Sequence, residues 1–189
     1  MRPRLIAVVV AAATCTAALA GVPAVQASTT PYCGITWGSL PKTVMQSTAS
    51  AIADARVGKH ECFERLVIDL HTQPAAGYHV TYIEGYYNQD TGERVPVAGG
   101  ATIKIHALAP AHDLYGNPTV PWHWAQHIVK PEQFTAGGFR TFRDLVFGGT
   151  YEGETDFVLG VRARLPFRVF TLAGPGEGSR LVVDVAHQW

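Results

Sequence analysis

The chain has 189 residues, a length typical of one domain, and its 15 Lys+Arg balance its 15 Asp+Glu. A net charge of zero gives no basic footprint for nucleic acid or an anionic membrane, so we expect neither as a partner. Hydrophobic residues make up 47% of the chain and charged residues 16%, which excludes an intrinsically disordered protein.

The first 27 residues have the layout of a secretory signal peptide. Two arginines near the N-terminus precede an apolar run over residues 5–20, and small residues end the segment at Ala27. We expect cleavage after Ala27, with a cut after Ala20 as the alternative. The apolar run has about 16 residues, whereas a membrane-spanning helix needs ~20. We therefore predict no membrane span after cleavage and an extracytoplasmic, secreted protein.

Cys15 raises the question of a lipoprotein. A lipobox needs Leu three residues before the cysteine and Gly, Ala or Ser directly before it, whereas this chain has Ala12 and Thr14. A soluble exported protein is the better interpretation. Cleavage would remove 27 residues and two arginines, which leaves 162 residues with 13 basic and 15 acidic side chains, a net charge of −2.

Two cysteines, Cys33 and Cys62, remain after the predicted cleavage. An even number of cysteines in an exported chain is typical of a disulfide. We predict that the two are joined, which would tether the N-terminal segment to the domain and stabilise it by ~3–4 kcal/mol. The alternative is a pair of unlinked, buried thiols.

The remaining chain is predicted to be almost entirely β-structure. Residues 28–50, rich in Ser, Thr and Pro, are predicted to form an extended arm, and strand patterns extend over 51–189. Short strands separated by glycine-containing turns favour a β-sandwich or a barrel. The predicted strands are 63–70, 77–84, 101–107, 157–162, 167–172 and 181–185.

Residues 109–136 interrupt this rhythm. They are rich in Pro and His, and we predict one long irregular loop with at most a short helix near Pro131. Loops of this length inside a compact domain are often functional.

One hexapeptide occurs twice. Arg-Leu-Val-Ile-Asp-Leu at 65–70 returns as Arg-Leu-Val-Val-Asp-Val at 180–185. Each copy is predicted to be a strand with an Arg–Asp pair at positions i and i+4 on its outer face. Similar strands at equivalent places in two sheets would explain the repeat, and so would chance, because apolar strands use few residue types.

Three segments carry a resemblance to a known family: Tyr-Cys-Gly-Ile-Thr-Trp-Gly-Ser-Leu at 32–40, Gly-Lys-His-Glu-Cys-Phe-Glu-Arg-Leu-Val-Ile-Asp-Leu at 58–70, and Gly-Val-Arg-Ala-Arg-Leu-Pro-Phe-Arg-Val-Phe at 160–170. They resemble the AMIN-like family of exported actinobacterial proteins, related to the AMIN module of cell-wall amidases and secretins. The resemblance implies a β-sandwich of two antiparallel sheets with about eight strands over 51–189. It also implies a cell-envelope module that binds peptidoglycan or an envelope protein.

Two clusters have the residue types of metal sites. His123 and His127 have H-x-x-x-H spacing, but they lack a third ligand and are interpreted as exposed loop histidines. Glu152, Glu154 and Asp156 offer oxygen ligands for calcium, yet a solvated hairpin tip explains them equally well. We predict no metal and no cofactor.

Aromatic and arginine side chains are the candidate binding residues, because flat rings stack on sugars or anchor proteins and arginines bind anionic groups. The two tryptophans of the loop could instead pack beneath it as a small satellite core. The six candidates are Trp122, Trp124, Tyr86, Tyr87, Arg65 and Arg180.

No catalytic motif is found, so we predict a non-catalytic, monomeric binding module. One alternative is a small envelope hydrolase with its site at the 109–136 loop, formed by His112, Asp113 and His123. Another is a structural protein–protein adaptor that uses the aromatic loop.

Overall fold

The computed structural model describes residues 31–89 and 91–189, so the predicted signal peptide and its cleavage site lie outside the described residues. The described part of the chain contains twelve strands, one α-helix and a short 3-10 turn at Tyr32–Gly34. The elements are β1 (Lys42–Val44), β2 (Ile52–Lys59), β3 (Phe63–Leu70), β4 (Tyr78–Ile83), β5 (Tyr86–Tyr87), β6 (Arg94–Val95), β7 (Ala101–Ala107), β8 (Gln126–Val129), α1 (Pro131–Ala136), β9 (Phe142–Tyr151), β10 (Glu154–Val161), β11 (Phe167–Ala173) and β12 (Ser179–Ala186).

Two antiparallel sheets contain most of these strands. The six-stranded sheet has the order β1-β4-β7-β10-β9-β8, and the four-stranded sheet has the order β11-β12-β3-β2. A small hairpin of β5 and β6 covers part of the outer face of the six-stranded sheet, where Tyr86 and Val95 pack on Val146 and Val158.

The core lies between the two sheets. In β7, Ile103 and Ile105 are fully buried and point inward, whereas Lys104 between them points outward. In β3, Leu66 and Ile68 are likewise fully buried. This alternating burial gives each sheet one apolar face, and the apolar faces of the two sheets pack against each other. The predicted β-sandwich of two antiparallel sheets is confirmed.

The two copies of the repeated hexapeptide pair with each other. The copy at 65–70 lies in β3 and the copy at 180–185 lies in β12, its antiparallel neighbour in the four-stranded sheet. The prediction of equivalent places in two sheets is therefore wrong. The Arg and Asp of each copy lie on the outer face, as predicted, and they bind partners on neighbouring strands because positions i and i+4 of one strand are about 13 Å apart.

The segment before β2 is attached to the sandwich at three places. A disulfide joins Cys33 to Cys62, as predicted, with 6.4 Å between their Cα atoms. Gly38 forms an isolated antiparallel bridge with Phe167 at the start of β11. Farther along, β1 becomes the edge strand of the six-stranded sheet.

The Pro- and His-rich segment contains the short helix predicted near Pro131, which is α1. It also contains β8, an edge strand on β9 that the sequence pattern does not reveal. The chain between β7 and β8 is irregular, and the His112–Pro118 bridge closes its tip.

Candidate binding site

The structure separates the six candidate binding residues into two groups. Arg65 and Arg180 lie on the outer face of the four-stranded sheet. In the β3–β12 pair, Arg65 is opposite Asp184 and Arg180 is opposite Asp69. The four aromatic candidates lie around the six-stranded sheet. The two outer faces are therefore described in turn.

A buried carboxylate organises the outer face of the four-stranded sheet. Asp184 has no exposed side-chain surface and lies directly opposite Arg65, which donates two hydrogen bonds to it at 2.6 and 2.9 Å. Arg168 of β11 donates to the same carboxylate at 2.8 Å. The hydrogen bonds from Arg65 to Asp184 raise the pKa of Arg65. The single negative charge of Asp184 thus holds two guanidinium groups in position.

A second carboxylate on this face binds one arginine and leaves another without a carboxylate partner among the described residues. In register, Asp69 stands opposite Arg180, but Arg56 of β2 binds it through two hydrogen bonds of 2.7 and 2.9 Å. Arg180 donates one hydrogen bond, from Nη2 to the Ala173 carbonyl at 3.1 Å. Its Nε is buried and has no hydrogen-bond partner among the described residues.

Aromatic rings surround the Arg65–Asp184–Arg168 group. The Arg168 guanidinium lies 5.5 Å from the ring centroid of Trp37, 5.3 Å from Phe63 and 5.1 Å from Phe170. The segment that carries Trp37 is held nearby by the disulfide and by the bridge between Gly38 and Phe167, and a 2.8 Å hydrogen bond from the indole to the Tyr32 carbonyl fixes the ring within the segment. The face thus presents cations stacked on flat apolar rings.

A shallow depression of about 270 Å³ lies beside this group. Val67 and Val182 form its floor; both point outward yet are nearly fully buried. We call the outer face of the four-stranded sheet, with Trp37, the arginine–aromatic face. The residues lining the depression are Arg56, Val57, Gly58, His60, Arg65, Val67, Leu172, Arg180 and Val182.

Sequence reasoning identified part of this face. It selected Arg65 and Arg180 but not Arg56, Arg168 or Trp37. The alternation of Arg168, Phe170 and Leu172 in the predicted strand 167–172 was the available signal, because it places those three side chains on one face.

The outer face of the six-stranded sheet contains a polar cluster centred on Asp156, whose side chain is 3% exposed. Its carboxylate receives hydrogen bonds from His106 at 2.7 Å and from the Tyr86 hydroxyl at 3.1 Å, and Lys104 lies 2.8 Å away. The other ring nitrogen of His106 lies 2.7 Å from Glu154. Tyr86 is therefore a buried residue that attaches the covering hairpin to the sheet.

These contacts shift three pKa values. The hydrogen bond to Asp156 raises the pKa of His106 against the opposing effect of burial. Burial alone would raise the pKa of Asp156, but the hydrogen bonds from His106 and Lys104 outweigh it and lower the value. Burial, with the Asp156 charge beside it, raises the pKa of Tyr86. The cluster is a satisfied ionic network.

The other aromatic candidates differ in accessibility. Tyr87 is 56% exposed, next to the buried Tyr86. Trp122 packs against the main core, with ring centroids 5.7 Å from Phe147 and 6.2 Å from Phe157. Trp124 is half-buried above Gly149, where a Cβ would overlap the indole. These rings do not join the arginine–aromatic face.

The residues of the two clusters with metal-ligand side chains engage other partners. His127 pairs with the buried Asp144 at 2.8 Å, whereas His123 is exposed. Glu152 lies in the β9–β10 turn, and Glu154 belongs to the His106 network. Across the described residues, no three or more His, Cys, Asp or Glu side chains are arranged to hold a metal ion.

The three candidate hydrolase residues do not converge. Asp113 accepts hydrogen bonds from the side-chain amide and the backbone of Asn117 and from the Tyr115 backbone; these stabilise the turn and, led by the Asn117 side chain, lower the pKa of this carboxyl. The ring of His112 bonds to the Asp113 backbone carbonyl at 2.9 Å. A depression adjoins His112 and Asp113, and His123 does not line it. This geometry gives the hydrolase hypothesis no support.

The fold is a β-sandwich with the arginine–aromatic face on the outside of one sheet. The AMIN-like domain family matches residues 50–187, and the chain belongs to this family. Domains of the family are generally non-catalytic, extracytoplasmic modules that bind cell-wall or envelope partners. No curated protein and no solved structure matches the chain.

The disulfide is consistent with the oxidising environment of the envelope. In the part of the chain that the structure describes, no helix is long and apolar enough to cross a membrane.

Proposed function

We propose that the protein is a secreted, non-catalytic envelope module that binds peptidoglycan through the arginine–aromatic face. The signal-peptide pattern at 1–27 and the disulfide support export. Membership of the AMIN-like family supports an envelope partner. The protein acts as a monomer that presents one sheet to the wall.

One observation carries this proposal: the arginine–aromatic face combines excess positive charge with flat rings. Arg56 binds Asp69, and Arg65 and Arg168 bind Asp184, whereas Arg180 donates to a backbone carbonyl. Asp54, exposed beside Arg56, is the third carboxylate on the face, so four guanidinium groups stand against three carboxylates. Peptidoglycan offers the complementary chemistry, since its sugar rings stack on aromatic faces and its peptides carry carboxylates. Because the predicted mature protein has a net charge of −2, the attraction must be local and must not depend on overall charge.

Co-sedimentation with insoluble peptidoglycan tests the proposal. We expect the wild-type protein to pellet at low salt, and an Arg56→Gln/Arg180→Gln variant to bind at least tenfold more weakly. The matched control is Arg94→Gln/Arg140→Gln, which removes two exposed arginines away from this face. A wild-type protein left wholly in the supernatant would refute wall binding. Equal losses in both variants would show unspecific attraction instead of a defined face.

A second candidate function is a protein–protein adaptor, and a different observation favours it. Leu114 and Tyr115 are each 91% exposed at the tip of the irregular loop. Asp113 holds this tip in a fixed shape through hydrogen bonds to the backbone. Exposed apolar side chains on a rigid turn are suited to anchor a partner protein.

The adaptor hypothesis is tested by cross-linking in intact cells. It predicts that a Leu114→Ser/Tyr115→Ser variant loses a cross-linked envelope protein that the wild type captures. The Tyr87→Ser variant, which removes an exposed ring elsewhere, should retain the product. Identical cross-linking patterns for all three proteins would contradict the hypothesis.

A further inference from the structure

We propose that the depression beside Arg180 is a binding site for a carboxylate carried on a small aliphatic group, such as the carboxyl terminus of a short peptide. The inference deepens the proposed function, on which it rests, because the depression is part of the arginine–aromatic face. It names the chemical group that this part of the face recognises.

The first argument is the incomplete hydrogen bonding of Arg180. Its buried Nε lacks a partner among the described residues, while Nη2 donates to the Ala173 carbonyl. A buried donor without an acceptor costs free energy, and an anionic acceptor is its strongest partner. Nε has almost no accessible surface in this structure, so a carboxylate in the depression would reach it after a rotation of the Arg180 side chain and would then accept from Nε and from a second nitrogen of the planar group.

The second argument concerns the nearest carboxylate of the protein itself. Asp69 is opposite Arg180 in the β3–β12 register and could have paired with it across the strands. Arg56 takes that carboxylate with two hydrogen bonds from the neighbouring strand. The positive charge of Arg180 is therefore left to an external anion.

The third argument is the fixed shape of the site. Arg65 is held by two hydrogen bonds to the buried Asp184, and Arg56 is held by Asp69, so two walls of the depression are set before a ligand arrives. Little ordering of these side chains is then needed on binding.

The lining also limits the ligand. The floor is apolar, formed by Val67 and Val182, with Leu172 at the side. This surface favours an aliphatic group attached to the carboxylate. A phosphate dianion would place its polar oxygens against the same apolar floor and find one unpaired guanidinium, so we expect the carboxylate to be preferred.

The test is a nuclear magnetic resonance titration of the ¹⁵N-labelled protein, in which the Nε–Hε signal of Arg180 is observed directly. The probes are N-acetylalanine, its neutral amide N-acetylalaninamide, and inorganic phosphate. We expect the acid to shift the Arg180 signal and to bind at least tenfold more tightly than the amide and than phosphate.

Variants assign the effect. Arg180→Gln should weaken acid binding at least tenfold, whereas Arg94→Gln, on the β5–β6 hairpin, should leave it unchanged. The acid–amide comparison uses the wild-type protein alone, so it remains decisive if the Arg180 variant fails to fold. Equal shifts with the acid and the amide, or an unchanged Arg180 signal, would overturn the proposal. Stronger binding of phosphate would overturn the preference for a carboxylate.

The outcomes also separate this site from the proposed function. If peptidoglycan pellets the wild type but N-acetylalanine leaves Arg180 unchanged, the carboxylate site is wrong and wall binding stands on the rest of the face. If N-acetylalanine shifts Arg180 but peptidoglycan does not retain the protein, the site stands and the wall is the wrong partner.

Discussion

Both sheets carry buried aspartates on their outer faces, but the partners of these aspartates differ. On the six-stranded sheet, Asp156 is bound by His106, Lys104 and Tyr86, and the β5–β6 hairpin covers part of that surface. On the four-stranded sheet, Asp184 is bound by Arg65 and Arg168, which are as exposed as the charged partners of Asp156, but a further arginine, Arg180, lies on the same face without a carboxylate partner among the described residues.

This difference separates a structural polar network from a candidate binding surface. In the His106 network every charged group has an oppositely charged partner. On the arginine–aromatic face, four guanidinium groups outnumber the two carboxylates that bind arginines. Among the described residues, neither of these carboxylates binds Arg180. Charge satisfaction, more than residue type, indicates which surface is available to a ligand.

The largest effect is expected on the six-stranded side. Asp156→Asn should lower the free energy of unfolding by about 3 kcal/mol, because it leaves His106 and Lys104 without their common buried carboxylate. Urea denaturation measures this loss, and wall binding should be unchanged. Glu177→Gln, which neutralises an exposed carboxylate, is the control. A loss below about 0.5 kcal/mol would contradict the structural role of the network.

The corresponding substitution on the other sheet should affect both properties. Asp184→Asn should lower the free energy of unfolding by about 2 kcal/mol, less than Asp156→Asn, because two side chains, those of Arg65 and Arg168, bind Asp184 whereas four bind Asp156. It should also weaken peptidoglycan binding, because both guanidinium groups lose their fixed positions. Urea denaturation and co-sedimentation measure the two effects; unchanged binding would break the contrast between the faces.

The strands that could be predicted from the sequence are those with one apolar face and one polar face. Residues 63–70 and 101–107 alternate, because one side of each faces the core. Strand β9 was missed, since Val146 lies under the β5–β6 hairpin while Leu145 and Phe147 enter the main core, so both faces are apolar. Without alternation, the residues carry no period-two signal.

The candidate site was predicted only in part, for a related reason. Arg65 and Asp184 are 119 positions apart in the chain, and their contact depends on the β3–β12 register. The repeated hexapeptide indicated that the two strands are related, but not that they are neighbours. Trp37 reaches the face through the disulfide and the bridge at Gly38, which local sequence patterns do not reveal.

A smaller effect should appear in the pH dependence of stability. The pKa of His106 is raised in the folded state, chiefly by its hydrogen bond to Asp156. Its stabilising contribution is therefore fully present below the unfolded value of about 6.5 and is lost as the pH rises through the folded-state pKa. Asp156 has a lowered pKa, so its contribution is lost as the pH falls through that value.

Urea denaturation across neutral pH measures this effect. Glu154, Lys104 and the neighbouring His79 also face His106. Stability should fall as the pH rises above about 6.5, and His106→Gln should flatten this part of the profile. His123→Gln, in the exposed loop, should retain it. A wild-type profile that rises over this range would contradict the assigned sign.

The smallest effect on stability is expected for Arg56. Its side chain is 52% exposed, so its ion pair with Asp69 should contribute about 0–1 kcal/mol. Arg56→Gln should therefore unfold almost like the wild type in a thermal melt, yet co-sediment less with peptidoglycan. A variant that loses stability but binds peptidoglycan like the wild type would show that Arg56 stabilises the fold and does not bind the wall.

The most direct test of the central claim is to map which face contacts the wall. Soluble peptidoglycan fragments are titrated into the ¹⁵N-labelled protein, and amide and arginine side-chain signals are followed. We predict shifts at Trp37, Arg65, Arg168 and Arg180, with signals around His106 and the β5–β6 hairpin unchanged. Shifts confined to the six-stranded side, or none on the arginine–aromatic face, would contradict the account.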